Sequence, residues 1–142
     1  MISKLKTLIK FITYYFINLL IPTSKEIKQK SLLLIRLDAI GDYILFRNYI
    51  EILKQSEKYK GYKITLLGNS AWKSLSEELD GEYIEEFIWL DRVKFNKDLF
   101  YMYEKLTEIT SNGYEIVLNP AYSREFFVGD NIVKVVNAEE KI

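Results

Sequence analysis

Seven consecutive residues, Arg36-Leu37-Asp38-Ala39-Ile40-Gly41-Asp42, hold two carboxylates, a guanidinium and a glycine between an apolar run (Leu32–Ile35) and an amphipathic one that starts at Tyr43. A buried strand, a tight turn and a helix fit that order. In open α/β sheets, ligands bind in the crevice at the carboxyl ends of the strands, so this turn is where the chain could do chemistry. Asp42 follows Gly41 and opens the helix. As an N-cap it would accept a backbone N–H and complement the helix dipole. The same carboxylate could instead orient a hydroxyl and accept its proton as the hydroxyl attacks. Gly41 would let the backbone turn tightly and leave room for a substrate. Arg36 and Asp38 read either as a local ion pair that fixes the turn or as contacts to sugar or phosphate, a guanidinium being suited to phosphate. Farther on, Asp91 and Asn119 end later apolar runs and Arg124 lies just beyond. Asp91 and Asn119 are plausible crevice residues, though turn formation explains each equally well, and Arg124 could meet an anionic substrate or be a solvated surface arginine.

Composition excludes several chemistries. The 142 residues contain no cysteine and no histidine. That removes disulfides, thiolate nucleophiles, Ser-His-Asp and Cys-His catalysis, and the commonest zinc ligand. Acid–base work falls to Asp, Glu, Lys or Tyr, and no metal site is expected. One glycine stands where a dinucleotide fingerprint has three, and no Walker glycine-lysine turn occurs, so neither NAD nor ATP, nor any other cofactor, is expected. Net charge is zero but uneven: residues 1–30 hold six lysines against one glutamate, +5, which leaves −5 for the remainder. A basic, apolar arm on a mildly acidic body points to an anionic surface for the arm and away from nucleic acid for the body.

Leu5, Leu8, Ile9, Ile12, Phe16, Leu19 and Leu20 recur at helical steps and Pro22 stops the run. Lys10, Thr13 and Asn18 interrupt it, so it falls short of the ~20 apolar residues that span a bilayer. A signal peptide is the rival reading, but Leu20-Ile21-Pro22-Thr23 offers no small-residue cleavage site. An interfacial helix is favoured; packing on protein is the alternative. Residues 23–30 read as a linker, with the folded domain starting near Ser31. Strands are expected at Leu32–Arg36, Tyr62–Leu67, Glu86–Leu90, Tyr114–Leu118 and Ile132–Val136. Helices are expected from Tyr43 to about Lys58 (core face Leu45, Phe46, Tyr49, Ile50, Ile52, Leu53), from Ala71 to Leu79 behind an Asn69 or Ser70 cap, and from Asn96 to Thr110 (face Leu99, Tyr103, Leu106, Ile109). Asn112-Gly113 reads as a helix C-cap, and a short helix is read from Tyr122 to Val128. Strands alternating with helices mean a Rossmann-like α/β domain, a parallel sheet with helices on both faces.

LLLIRLDAIGDYIL resembles the opening motif of the ADP-heptose:lipopolysaccharide heptosyltransferases, glycosyltransferase family 9: a hydrophobic strand, a lysine or arginine, a few residues leading to Gly-Asp, then an apolar helix. YKITLLGNSAWKSL, EYIEEFIWLD and GYEIVLNPAYSRE are similar to the strand–helix segments that follow, so the resemblance covers about residues 31–136. It implies the N-terminal, acceptor-side half of a GT-B fold, an inverting and metal-independent transfer, and Asp42 as the proposed general base. It also implies a nucleotide-sugar donor held by a C-terminal domain missing from this chain, so that the chain is a fragment or one half of a split enzyme, inactive alone. Asn48 stands where many members have proline, and Asn119-Pro120 replaces the more usual aspartate-centred turn.

These readings predict the acceptor-binding half of a transferase acting on lipopolysaccharide or a related cell-surface glycan. Asp42 would be its base, with Arg36, Asp38, Gly41, Asn119 and Arg124 around the acceptor. The basic arm would hold it as a peripheral protein on the cytoplasmic face of the bacterial inner membrane. The rival from another class is a non-catalytic α/β binding module, receiver-like or a degenerate transferase half, docking a protein partner. In the receiver version Asp91 would be the phosphorylated aspartate and Lys134 the later lysine.

Overall fold

The computed structural model of the chain describes every residue except Tyr122. Five strands form an all-parallel sheet in the order β3-β2-β1-β4-β5: β1 (Ile27–Arg36), β2 (Lys63–Asn69), β3 (Glu86–Leu90), β4 (Gly113–Leu118) and β5 (Ala138–Lys141). β1 is central because Leu32 to Ile35 are all apolar, and a strand covered on both faces needs no alternation. Leu33 and Ile35 face one layer and Leu32 and Leu34 the other, none more than 1% exposed. Each contributes about 1.5–3 kcal/mol relative to an exposed side chain.

The first layer holds α1 (Ile2–Leu20), α5 (Arg92–Lys97), α6 (Leu99–Thr110) and α7 (Asn131–Val135). The second holds α2 (Ile40–Phe46), α3 (Asn48–Gln55) and α4 (Lys73–Asp80), the last entered through a short 3-10 turn at Ser70–Trp72. The chain runs outward from β1 to β2 and β3 through the second layer, then crosses back to β4 through the first. Right-handed crossovers require that change of face. The parallel sheet, the helices on both faces and the N-terminal helix are as expected from the sequence.

Several local expectations are overturned. Residues 27–30, read as linker, belong to β1: Ile27 pairs with Gly113 and Lys28 with Tyr114 before the register shifts ahead of Leu32. At that irregularity Lys30 takes φ +52° and its N–H donates to Glu115 Oε2 at 2.6 Å. Gly113, read as a helix C-cap, opens β4, where a Cβ would collide with the Glu26 carbonyl oxygen. The helix expected from Tyr43 to Lys58 starts earlier, at Ile40, and divides around Arg47. Of its expected core face only Ile50 is fully buried. Phe46 and Leu53 are half-buried, and Leu45, Tyr49 and Ile52 face out. Tyr43 turns inward instead, because its hydroxyl has partners on α4.

The helix expected over 96–110 likewise divides. Asp98 Oδ1 accepts from the Phe100 and Tyr101 N–H groups at 3.0 and 3.1 Å and starts a new helix, α6. Met102, Leu106 and Ile109 are buried, with Leu99 and Tyr103 exposed. Ile132–Val136 is not a strand. The Val136 N–H donates to the Ile132 carbonyl at 3.1 Å, and both side chains sit in the first layer. Packing overrides β-branched propensity there: residues four apart share a helix face, so the helix buries both. The fifth strand is the charged Ala138–Lys141 at the sheet edge, with Glu139 and Glu140 exposed, a composition that discourages edge-to-edge pairing. The short helix read from Tyr122 starts outside the described residues; a π-helical turn at Phe126–Asp130 leads instead into α7.

Candidate functional site at the β1–β4 switch

β1 and β4 are neighbours whose outgoing connections turn to opposite layers, which opens a crevice between their carboxyl ends. A groove of about 360 Å³ lies there, lined by Arg36, Asp38, Asp42, Leu45, Phe46, Pro120 and Ser123. That volume is within the range of small-molecule sites. A narrower cleft of about 30 Å³, the share of one water, adjoins it beside Asp38, Asn119, Ala121 and Gly129.

Arg36 is the structural centre. It is 5% exposed, yet its Nη1 donates to the Pro120 carbonyl at 2.8 Å and its Nη2 lies 2.6 Å from Asp38 Oδ2. Its guanidinium carbon sits 4.2 Å above the centre of the Phe46 ring. One side chain thus ties the exit of β1 to the exit of β4 and to α2. The ion pair with Asp38 is close but poorly directed, so Asp38 Oδ2 and the buried Arg36 Nε–H both lack a hydrogen-bond partner. Burial lowers the pKa of Arg36, while the charges of Asp38 and then Asp42 oppose that shift. The local ion pair read from the sequence is present, and it lines the groove as well.

The turn itself is held from β2 and the 3-10 turn. Asn69 Nδ2 and Trp72 Nε1 both donate to the Asp38 carbonyl, at 3.2 and 2.9 Å. Asn69 also accepts from the Ala71 N–H, the cap expected of it. Trp72 stacks on Tyr43 with ring centres 3.8 Å apart. The Tyr43 hydroxyl donates to Asp80 Oδ2 at 2.6 Å and meets Ser76 Oγ at 2.7 Å, and Arg47 grips the same carboxylate through Nε and Nη2 at 3.2 and 2.8 Å. Burial first, then the hydrogen bond to Asp80, pushes the Tyr43 pKa far up. This buried network clamps α2, which carries Asp42, against α4.

Asp42 is not the N-cap. Ala39 holds that position without a side-chain cap, and Asp42 lies in the first turn of α2 with an exposed carboxylate. No side-chain hydrogen bond engages it among the described residues. It makes no contact that fixes the fold beyond complementing the α2 dipole, and it lines the groove. Gly41 lies inside α2 with a φ that any residue adopts, so no tight turn requires a glycine there. A Cβ there would meet nothing within 4 Å, which leaves the argument from open space.

Asn119 is buried, its N–H donating to the Ile142 carbonyl at 2.9 Å. Its side chain sits against Gly129 in the narrow cleft and not in the Asp42 groove. Arg124 is exposed and lines neither concavity. Asp91 is spent as the N-cap of α5, accepting from Val93 and Lys94. The structure therefore gathers Arg36, Asp38 and Asp42 on one groove, leaves Gly41 in α2 outside its lining, sets Asn119 one cleft away and leaves Arg124 outside. The residues that the sequence did not reveal are Tyr43, Arg47, Ser76 and Asp80. They lie more than 30 positions apart across two helices, and no local spacing marks them. Among the described residues no group of three His, Cys, Asp or Glu side chains could hold a metal ion.

No protein-family model, curated protein or solved structure matches this chain. A free carboxylate and a buried, paired guanidinium line an open groove at a topological switch, a combination suited to a hydroxylated ligand.

Proposed function

We propose that this domain is the acceptor-side half of an inverting glycosyltransferase of heptosyltransferase type, with the donor sugar presented by a second domain. The observation that carries the reading is Asp42, an exposed carboxylate with no structural partner, lining the groove at the β1–β4 switch beside Arg36 and Asp38. It falls at the aspartate of the Gly-Asp pair in the segment that resembles the family motif. Two further features support it. The strand order is the Rossmann order that each half of a GT-B enzyme is built on. α3 starts at Asn48, where many members carry proline; this chain departs from them in residue type, but the position is the first residue of a helix, where proline is favoured.

In this reading the acceptor is a glycan whose hydroxyl lies against Asp42. Asp42 takes the hydroxyl proton as that oxygen attacks the anomeric carbon of the donor. The new glycosidic bond forms as the bond to the nucleotide diphosphate breaks, the diphosphate leaves with the electron pair, and the anomeric centre inverts. Arg36 and Asp38 position the acceptor and hold the crevice open. In this reading the second domain grips the donor, so the chain alone binds nucleotide sugar weakly and transfers nothing.

The test uses a polypeptide that joins this domain to a donor-binding domain. Asp42→Ala should lower turnover about 10²–10⁴-fold, the usual contribution of general-base catalysis, and leave nucleotide-sugar binding intact. Near-normal turnover would remove Asp42 from the role. The receiver-like alternative has no support in the geometry: Asp91 is used as a helix cap, and β1 lies between β2 and β4 in place of the 2-1-3-4-5 order of receiver domains.

A further inference from the structure

α1 turns the wrong face outward for a helix that serves only the core. A surface helix of a globular protein directs its apolar stripe at the core. At 3.6 residues per turn, the apolar positions of α1 run from Ile2 through Leu5, Leu8, Ile12 and Phe16 to Leu19 in a stripe roughly 120° wide. From Leu5 to Leu19 these five are between 48% and 63% exposed. The body holds the opposite side. Tyr14 is buried edge-on against Phe127, with ring centres 5.1 Å apart. Asn18 and Asn131 exchange amide hydrogen bonds at 2.7 and 3.4 Å. Just past the helix Ile21 is buried in the first layer, and Thr110 Oγ1 donates to the Pro22 carbonyl at 2.8 Å. Phe126, exposed and 5.0 Å from the Phe11 ring, extends the outward patch onto the body.

Charge decides what covers this face. α1 contains three lysines and no acid. By the same helical spacing Lys4 borders one edge of the stripe and Lys6 the other. An apolar stripe with aromatic side chains and flanking lysines is the pattern of a helix lying in the plane of an anionic bilayer. No helix among the described residues is long and apolar enough to cross a membrane. Pairing two copies through the stripe would bring lysines together with no acid on the helix to offset them, and like-charge contacts are costly.

We propose that α1 is a rigid membrane-docking face. Its stripe enters the acyl boundary and Lys4 and Lys6 meet acidic head groups. Because its inner side belongs to the core, docking orients the whole domain at the bilayer instead of leaving it on a loose tether. The proposal does not rest on the transferase reading, and vesicle binding by a protein without transfer activity would leave it standing.

The experiment is flotation of the full chain with vesicles of phosphatidylcholine, with and without phosphatidylglycerol, at moderate salt. The chain should float with the anionic vesicles and much less with the neutral ones. The double variant Leu8→Glu/Ile12→Glu should lose flotation with its fold intact by circular dichroism, since both positions are exposed. Lys4→Gln with Lys6→Gln should weaken binding to anionic vesicles roughly 30-fold, at about 1 kcal/mol for each lysine at the surface. No flotation, or flotation unchanged in the Glu variant, overturns the proposal. So does a stable lipid-free dimer that the Glu variant dissociates, because the stripe would then be a protein interface. Rigidity is tested by bridging Asn18→Cys and Asn131→Cys with a short bis-maleimide. Binding that survives the bridge supports docking as a fixed face; binding abolished by it means α1 must leave the body, and the rigid form of the proposal fails.

Discussion

The two layers that sandwich the sheet solve the same packing problem differently. The first layer is held mainly by apolar contact: Leu33, Ile35, Met102, Leu106, Ile109, Val117 and Ile132 are buried together under α1, α6 and α7. The second buries fewer aliphatic side chains and inserts a polar knot, Tyr43, Ser76 and Asp80 with Arg47 at its edge. The candidate site is on the second side, where Arg36 packs against Phe46 of α2. Apolar contact is non-directional and tolerates sliding, whereas hydrogen bonds to a buried carboxylate have one acceptable geometry. A helix that must present Asp42 to a groove gains from the directional kind of attachment. The apolar layer can instead spend an entire helix face, that of α1, on the outside.

Substitutions separate the two kinds of attachment. Leu33→Ala removes a fully buried side chain from the first layer and should cost about 2–5 kcal/mol in urea unfolding, without altering ligand contacts at the groove. Asp80→Ala should cost about 2–4 kcal/mol, because it leaves the Tyr43 hydroxyl and Arg47 without their shared acceptor. Unlike Leu33→Ala, it should also loosen α2, seen as faster amide hydrogen exchange over Ile40–Phe46. Equal exchange in the two variants would mean that the knot does not position the site.

Tyr43→Phe should cost about 1 kcal/mol near neutral pH and carry a distinctive pH dependence. The folded pKa of Tyr43 is raised above the unfolded tyrosine value of about 10. The stability linked to it is fully present below that value and is lost as pH rises through the folded pKa. Stability of the parent protein should therefore fall above about pH 10, and the fall should be shallower in Tyr43→Phe. Parallel curves would place the linkage elsewhere. The smallest effect belongs to Asp42→Asn, within about 0.5 kcal/mol of the parent, since the side chain is exposed and unpartnered. A loss as large as that of Tyr43→Phe would make Asp42 a structural residue and weaken the case for it as a base.

Much of the fold was legible because the signals are local. The all-apolar Leu32–Ile35 run, the Glu86–Leu90 strand and the Asn69 cap each follow from a few adjacent side chains. The errors fall where a contact distant in sequence overrides a local preference. Ile132–Val136 has strand-like composition but coils into a helix so that Ile132 and Val136 reach the first layer together. The buried face of α2 differs from the one its apolar pattern predicts because Tyr43, a residue that either environment accepts, is drawn inward by Asp80 from 37 positions away. Gly113 looked like a helix cap; it is a glycine because the chain before β1 passes too close for a side chain.

The Arg36–Asp42 turn shows the same division. Sequence alone determined that a strand, a turn with two carboxylates and a guanidinium, and a helix follow one another, because backbone propensity and apolar patterning act over a few residues. Tertiary structure decided which of those charges is free. Arg36 is buried against Phe46 and the Pro120 carbonyl, Asp38 is drawn to Arg36, and the chain around Asp38 is pinned by Asn69 and Trp72. Asp42 alone of the three is left facing the groove without a partner. The burial of one charge and the exposure of another depend on strands and helices brought together from far along the chain, and no local pattern encodes that.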